Sequence, residues 1–178
     1  MENKNYLYKG FHSVERLDAV IKGEKKIIER IGIKNAVSAL VTDADGKIAF
    51  VRQYRPCIDE CLYEIPAGLM DKDGLTGSEI LTEELYEECE IKASDIEFIS
   101  KDPMYSYYVL CGSSDAKMSI YRVSLRSVEC SKEVADEDVD KVEWLTYDEF
   151  DELAQNGKIK DEATLIAYLH LKEEMVSA

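Results

Sequence analysis

GLMDKDGLTGSEILTEELYEECEI, residues 68–91, carries eight acidic side chains in twenty-four positions, between a glycine and an aliphatic residue. Thr76 followed three positions later by Glu79 has the form of a capping box, and Ile80, Leu81, Leu85 and Cys89 recur at helical spacing. The pattern predicts a helix from about 77 to 89. On it Glu84, Glu87 and Glu88 stand at i, i+3 and i+4, one patch of three carboxylates beside the apolar stripe. Each such like-charge neighbour destabilises an isolated helix by roughly 0.2–0.5 kcal/mol, and no Lys or Arg lies within the helix to offset it. Two readings follow. The patch is a solvated acidic face, which is the commoner case for helical glutamates, or it collects carboxylate oxygens for a hard divalent cation.

Upstream, NAVSALVT (35–42), DADG and KIAFVRQYR (47–55) read as two strands joined by a turn at Asp45 and Gly46. CLYEIPAG (61–68) predicts a third strand running into Gly68, so the acidic stretch begins where a strand ends. Downstream, DIEFIS, KMSIYRVSL and KVEWL read as further strands, and TYDEFDELAQNG and DEATLIAYLHLKEEM as helices, the first opened by a second capping box from Thr146 to Glu149. Strands, helix, strands, helices in that order predict an α+β domain with a mixed sheet, layered α/β/α.

With 178 residues, 46% hydrophobic and 33% charged, the chain has the composition of one globular domain, and no apolar run approaches the ~20 residues of a membrane span. The first residues carry no signal-peptide pattern, so the expectation is a cytoplasmic protein with no membrane partner. A net charge of −15 excludes a non-specific grip on nucleic acid, which relies on clustered Lys and Arg. Five cysteines, at 57, 61, 89, 111 and 130, lack paired CxxC spacing and are expected as reduced thiols, several of them buried.

The acidic stretch resembles the motif of the Nudix hydrolases, G-x5-E-x7-R-E-U-x-E-E-x-G-U with U aliphatic: Gly68, Glu84, Leu85, Glu87, Glu88 and Ile91 fall on its central positions. DKDG lengthens the loop by one residue, Leu75 stands for the first glutamate, Glu83 for the arginine and Glu90 for the late glycine. VRQYR (51–55) followed by EIPAGLMD (64–71) is similar to the ADP-ribose pyrophosphatase branch, and the likeness extends over roughly residues 35–170. It implies a Nudix-type α/β/α sandwich over 35–178, preceded by an N-terminal segment, 1–34, whose strands join two copies into a homodimer.

The resemblance also implies a chemistry. Glu84, Glu87 and Glu88, with the backbone carbonyl of Ala67, bind Mg2+, or alternatively Mn2+; Arg55 and Arg52 meet a substrate phosphate; and a carboxylate on the loop ADEDVD (135–140), Glu137 ahead of Asp136 and Asp138, takes the proton from water. Gly112 in LCGSSDA keeps one glycine of a substrate-contacting turn, whereas Cys111 and Ala116 replace its proline and glutamate. Glu83 in place of the arginine is expected to loosen the carboxylates and raise the demand for metal. Tyr105, Tyr107 and Tyr108 either stack on a base or pack in the protein, and His12 and His170 are packing or surface residues. The activity implied is hydrolysis of the pyrophosphate of ADP-ribose or a related nucleoside diphosphate sugar. The alternative, from the three altered motif positions, is a catalytically weak domain that binds a nucleotide sugar as a sensor or interaction module.

Overall fold

The computed structural model of the chain describes residues 5–127 and 139–177. An N-terminal antiparallel sheet is built from β1 (Asn5–Lys9), β2 (Ser13–Ile21) and β3 (Glu24–Gly32). Lys22 and Gly23 between β2 and β3 both lie at positive φ, 52° and 83°, as a two-residue hairpin turn matching the strand twist requires. Arg30 ties this sheet to the rest of the chain: its Nε and Nη2 donate to the buried Glu15 carboxylate and its Nη1 to Asp115 at 2.5 Å, while the Ile31 N–H donates to the Ser113 carbonyl.

The remaining strands form a mixed eight-stranded sheet: β4 (Ala36–Thr42), β5 (Ile48–Arg55), β6 (Glu60–Glu64), β7 (Ala67–Leu69), β8 (Ile96–Ile99), β9 (Tyr105–Tyr108), β10 (Lys117–Leu125) and β11 (Val139–Leu145). The order is β11-β5-β4-β10-β8, with β10 parallel to β4 and β9 antiparallel along β10. The helices are α1 (Gly77–Cys89), α2 (Tyr147–Gln155) and α3 (Glu162–Ser177). Both capping boxes form, from Thr76 to Glu79 and from Thr146 to Glu149.

Two cores separate the layers. Ile80, Leu81, Leu85 and Cys89 of α1 pack on Val37, Ala39, Val41, Ala49 and Val51 of one sheet face. On the other, Phe50 meets Phe150 of α2 edge to face at 4.7 Å, and Phe150 meets Tyr168 of α3 at 5.3 Å. Alternate residues of β5 thus feed opposite cores, the two-residue period of a strand buried on both faces.

The third strand expected over 61–68 is two strands, a correction with a simple cause. Pro66 has no N–H to give a ladder, and the chain breaks there. β6 pairs with β5, while β7 pairs with β4, so the two halves open a fork between strands that otherwise pair only at Thr42 and Ile48. The expected burial of the cysteines is also corrected: Cys89 is buried, but Cys57, Cys61 and Cys111 are exposed, because they lie at the connection after β5, on β6 and in the turn before β10. Cys130 lies outside the described residues.

Candidate active site

The fork at Pro66 is where the carboxylates gather. On either side of the proline an N–H points away from the sheet ladder, and each is satisfied by a helix. The Ile65 N–H donates to Thr164 Oγ1 of α3 at 2.9 Å, and the Ala67 N–H donates to Glu88 Oε2 of α1 at 3.0 Å. Glu88 is only 6% exposed. One residue on, a Cβ built on Gly68 would fall 2.1 Å from Glu84 Cδ and 2.3 Å from its Oε1, so the Glu84 carboxylate folds into the space that a side chain at 68 would fill. Successive residues of β7 therefore receive the two glutamates that stand at i and i+4 of α1. The helix is turned this way because Leu81, Leu85 and Cys89 are fully buried along the adjoining stripe, which leaves Glu84 and Glu88 at its edge.

Arg55 reaches the same region. Its Nε donates to Glu64 Oε1 at 2.7 Å and its Nη2 donates to Glu64 Oε2, a bidentate pair in which Glu64 is buried and Arg55 half-exposed. The guanidinium pKa is raised above its ordinary value, chiefly by these hydrogen bonds; the charges of Glu64, Asp161 and Glu88 add to them and burial opposes them. Asp161 accepts from the Thr164 N–H and hydroxyl at 2.8 and 2.6 Å, which holds Thr164 toward Ile65. Half-buried Tyr107 packs on the α2–α3 side, its phenol pKa pushed up by burial first and by Glu162 and Asp161 next. Glu64, Asp161 and Thr164 were not singled out as site residues in the sequence; the hairpin register sets Glu64 opposite Val51 and Arg55 opposite Glu60, on one face of the ladder, and the arginine reaches Glu64 along that face.

On the outer flank of α1, Lys72 Nζ lies 2.5 Å from Glu83 Oε2 and 3.9 Å from Glu87 Oε1. Its pKa is raised, first by the hydrogen bond to Glu83; desolvation opposes this, and the charges of Glu83, Glu87 and Glu84 add to it. This modifies the expectation that Glu83 merely adds negative charge: the lengthened loop supplies a cation to meet it. Glu90, at the late-glycine position, caps α1 in the left-handed region at φ 53°, its N–H donating to the carbonyls of Leu85 and Tyr86.

The other expected site residues are placed elsewhere. Arg52 differs from Arg55 by an odd number of residues and faces the opposite side of β5, its guanidinium 3.8 Å over the Tyr63 ring and lining a 430 Å³ hollow with Leu153, Lys158 and Lys160. Gly112 lines a separate hollow beside Ile21, Ile28 and Arg30 of the N-terminal sheet. Glu137, with Asp136 and Asp138, lies outside the described residues. Tyr105 and Tyr108 are exposed, and Tyr105 packs on His170 with ring centroids 5.0 Å apart.

Among the described residues, no three Asp, Glu, His or Cys side chains converge as a ready metal cage. The donor chemistry nevertheless fits a hard divalent ion. Glu84 and Glu88 bring carboxylate oxygens to consecutive residues of one strand, the first in the hollow left by a missing Cβ and the second nearly buried.

Comparison with known proteins finds relatives along most of the chain. The chain is 29% identical over 155 residues to an ADP-ribose pyrophosphatase of Bacillus subtilis (strain 168), covering 85% of this chain and 79% of the relative. It is 31% identical over 147 residues to a methanol dehydrogenase activator of Bacillus methanolicus, covering 79% and 74%. No helix among the described residues is long and apolar enough to cross a membrane. The NUDIX domain family matches residues 32–167, a span that takes in the fork at Pro66, the glutamates of α1 and Arg55, and the chain belongs to the Nudix hydrolase family.

Proposed function

We propose that the protein hydrolyses the pyrophosphate of ADP-ribose or a related nucleoside diphosphate sugar with Mg2+, yielding AMP and ribose 5-phosphate from ADP-ribose. The observation that carries this reading is the delivery of Glu84 and Glu88 to consecutive residues of β7 with Arg55 beside them. When bound by Glu84, Glu87, Glu88 and the Ala67 carbonyl, the metal supplies charge neutralisation at phosphate oxygens and a more acidic water. Glu88 contributes a carboxylate whose position is fixed by the Ala67 N–H. Arg55 is oriented by Glu64, which takes two of its five N–H groups and leaves three to meet a phosphate. Glu137 is our candidate for the group that takes the proton from water.

The test is turnover, with and without Mg2+, of ADP-ribose, nucleoside diphosphate sugars, NADH and dinucleoside polyphosphates, by the wild type and by Glu88→Gln. The glutamine keeps an oxygen for the Ala67 N–H but loses the charge. We expect a fall in kcat of order 10² with the fold retained. Equal turnover by the two proteins would remove Glu88 from the reaction.

A second reading, a Nudix domain that binds its nucleotide and regulates another enzyme, is supported by the altered positions Leu75, Glu83 and Glu90 and by a relative that is named as an activator. Saturable binding of ADP-ribose without turnover would favour it.

The N-terminal sheet is our candidate for a homodimer interface. It exposes Tyr8, Phe11, Val20 and Ile27, each at least 60% accessible, and these flank no core of their own. A monomeric mass by light scattering at micromolar concentration would count against it.

A further inference from the structure

We propose that Lys72, on the loop before α1, is the positioning cation of the carboxylate helix and acts from the loop side in place of an arginine at position 83. The inference rests on the hydrolase reading and concerns how Glu87 is aimed.

The α1 sequence GSEILTEELYEEC contains no Lys or Arg, so a cation for its acidic flank must come from elsewhere. Lys72 supplies it with one ammonium that spans a full turn, 2.5 Å from Glu83 and 3.9 Å from Glu87, residues at i and i+4. An ammonium carries three donors and no acceptor: one is given to Glu83, and Glu87 is held at 3.9 Å by charge.

Most surface lysines make no such contact reproducibly, because a long free side chain pays rotamer entropy for every ion pair. The loop that carries Lys72 is fixed at both ends. On one side Met70 donates its N–H to the Asn35 carbonyl at 2.8 Å, and Asp71 pairs with Lys34 at 3.0 Å. On the other, Gly74 turns the chain at φ 84° and Leu75 packs into the core under α1. The extra residue of DKDG therefore sits between two anchors, with Lys72 held over the helix flank. The positive charge that an arginine at 83 would place on the helix flank is brought there by Lys72 from the loop.

Titration with Mn2+ alone, followed by the electron paramagnetic resonance signal of the free ion, separates a positioning role from mere counter-charge, because the two move the affinity in opposite directions. A lysine that only balances charge competes with the metal, so Lys72→Met would bind Mn2+ more tightly. A lysine that aims Glu87 supports the site, so Lys72→Met weakens binding by about 10-fold, the lower end for groups that orient metal-binding carboxylates. Lys72→Arg should hold wild-type affinity, and Lys72→Met combined with Glu83→Arg should regain most of the loss by returning the cation to the helix. Equal or tighter Mn2+ binding by Lys72→Met overturns the proposal and leaves the hydrolase reading intact. A wild-type protein that binds no Mn2+ overturns both.

Discussion

Gly68→Ala isolates the placement of Glu84 from the stability of the fold. The added Cβ would lie 2.1 Å from Glu84 Cδ, 2.2 Å from Cγ and 2.3 Å from Oε1. Non-bonded carbons rest at about 3.5 Å, so the carboxylate must retreat by well over 1 Å. That retreat costs little in folding free energy. Glu84 is a long, half-buried side chain, Gly68 is not in the left-handed region, and alanine fits its backbone, so we expect a loss below about 1 kcal/mol, the mild end of overpacking. The functional cost is larger, since a 1 Å misplacement of a reacting group is worth roughly 10²-fold in rate, or about 2.7 kcal/mol of barrier. The assay is kcat/KM on whichever nucleoside diphosphate the protein turns over, with a melting curve for each variant and a cycle through Glu84→Ala. Gly68→Ala should lose activity while melting within a few degrees of wild type, and adding it to Glu84→Ala should change nothing further. Full activity in Gly68→Ala would refute the reasoning, as would a further large loss in the double variant, because the effect would then not pass through Glu84.

Glu90→Gly removes an L residue from φ 53°, which costs roughly 1–2 kcal/mol, against about 0.5–1 kcal/mol for the extra freedom of glycine in the unfolded chain. The net gain should raise Tm by about 1–4 °C in calorimetry, and a lower Tm would mean that Glu90 makes contacts outweighing its strain. Arg55→Ala leaves the buried Glu64 without its bidentate partner; discounted for the exposure of Arg55, the loss should be about 2 kcal/mol in urea unfolding, largely recovered by adding Glu64→Gln. Glu79 and Glu149 have pKa values below the ordinary 4.5, held down first by the N–H groups of Thr76 and Thr146 and then by their hydroxyls. Their stabilisation is therefore present above pH 4.5 and lost as pH falls through the lowered values, so Glu79→Gln with Glu149→Gln should melt below wild type at pH 7, with the difference closing as the pH is lowered through the acid range.

The helix ends were legible because capping is local: Thr76–Glu79 and Thr146–Glu149 carry their own partners three residues away, and both boxes form where expected. Strands β4 and β10 were legible as apolar-rich runs, AVSALVT and KMSIYRVSL, whose composition is equally a local property. What could not be seen was the fork: β5 and β6 form a local hairpin, but the return of Ala67–Leu69 to Ala36–Ser38 is a non-local choice that no short stretch of sequence announces. Pro66 was a visible cue to the break. So was the odd separation of Arg52 and Arg55, which sends one guanidinium to the α2–α3 side and the other to the Glu88 side.

The three altered motif positions looked equivalent in the sequence, as losses, and the structure gives each a different physical meaning. Leu75, in place of a glutamate, has joined the apolar core beneath α1. Glu83, in place of an arginine, is met by Lys72, so a cation remains on that flank and only its covalent origin has changed. Glu90, in place of a glycine, keeps the left-handed backbone that the glycine would have served, and the carbonyls of Leu85 and Tyr86 still find its N–H. The delivery of Glu84 to Gly68 and of Glu88 to Ala67 is present alongside all three changes. Those contacts depend on the buried stripe of α1 and the break at Pro66, both of which the chain retains. An altered motif is therefore compatible with the placement of Glu84 and Glu88, because the altered residues lie around the helix while these two carboxylates are set against the strand.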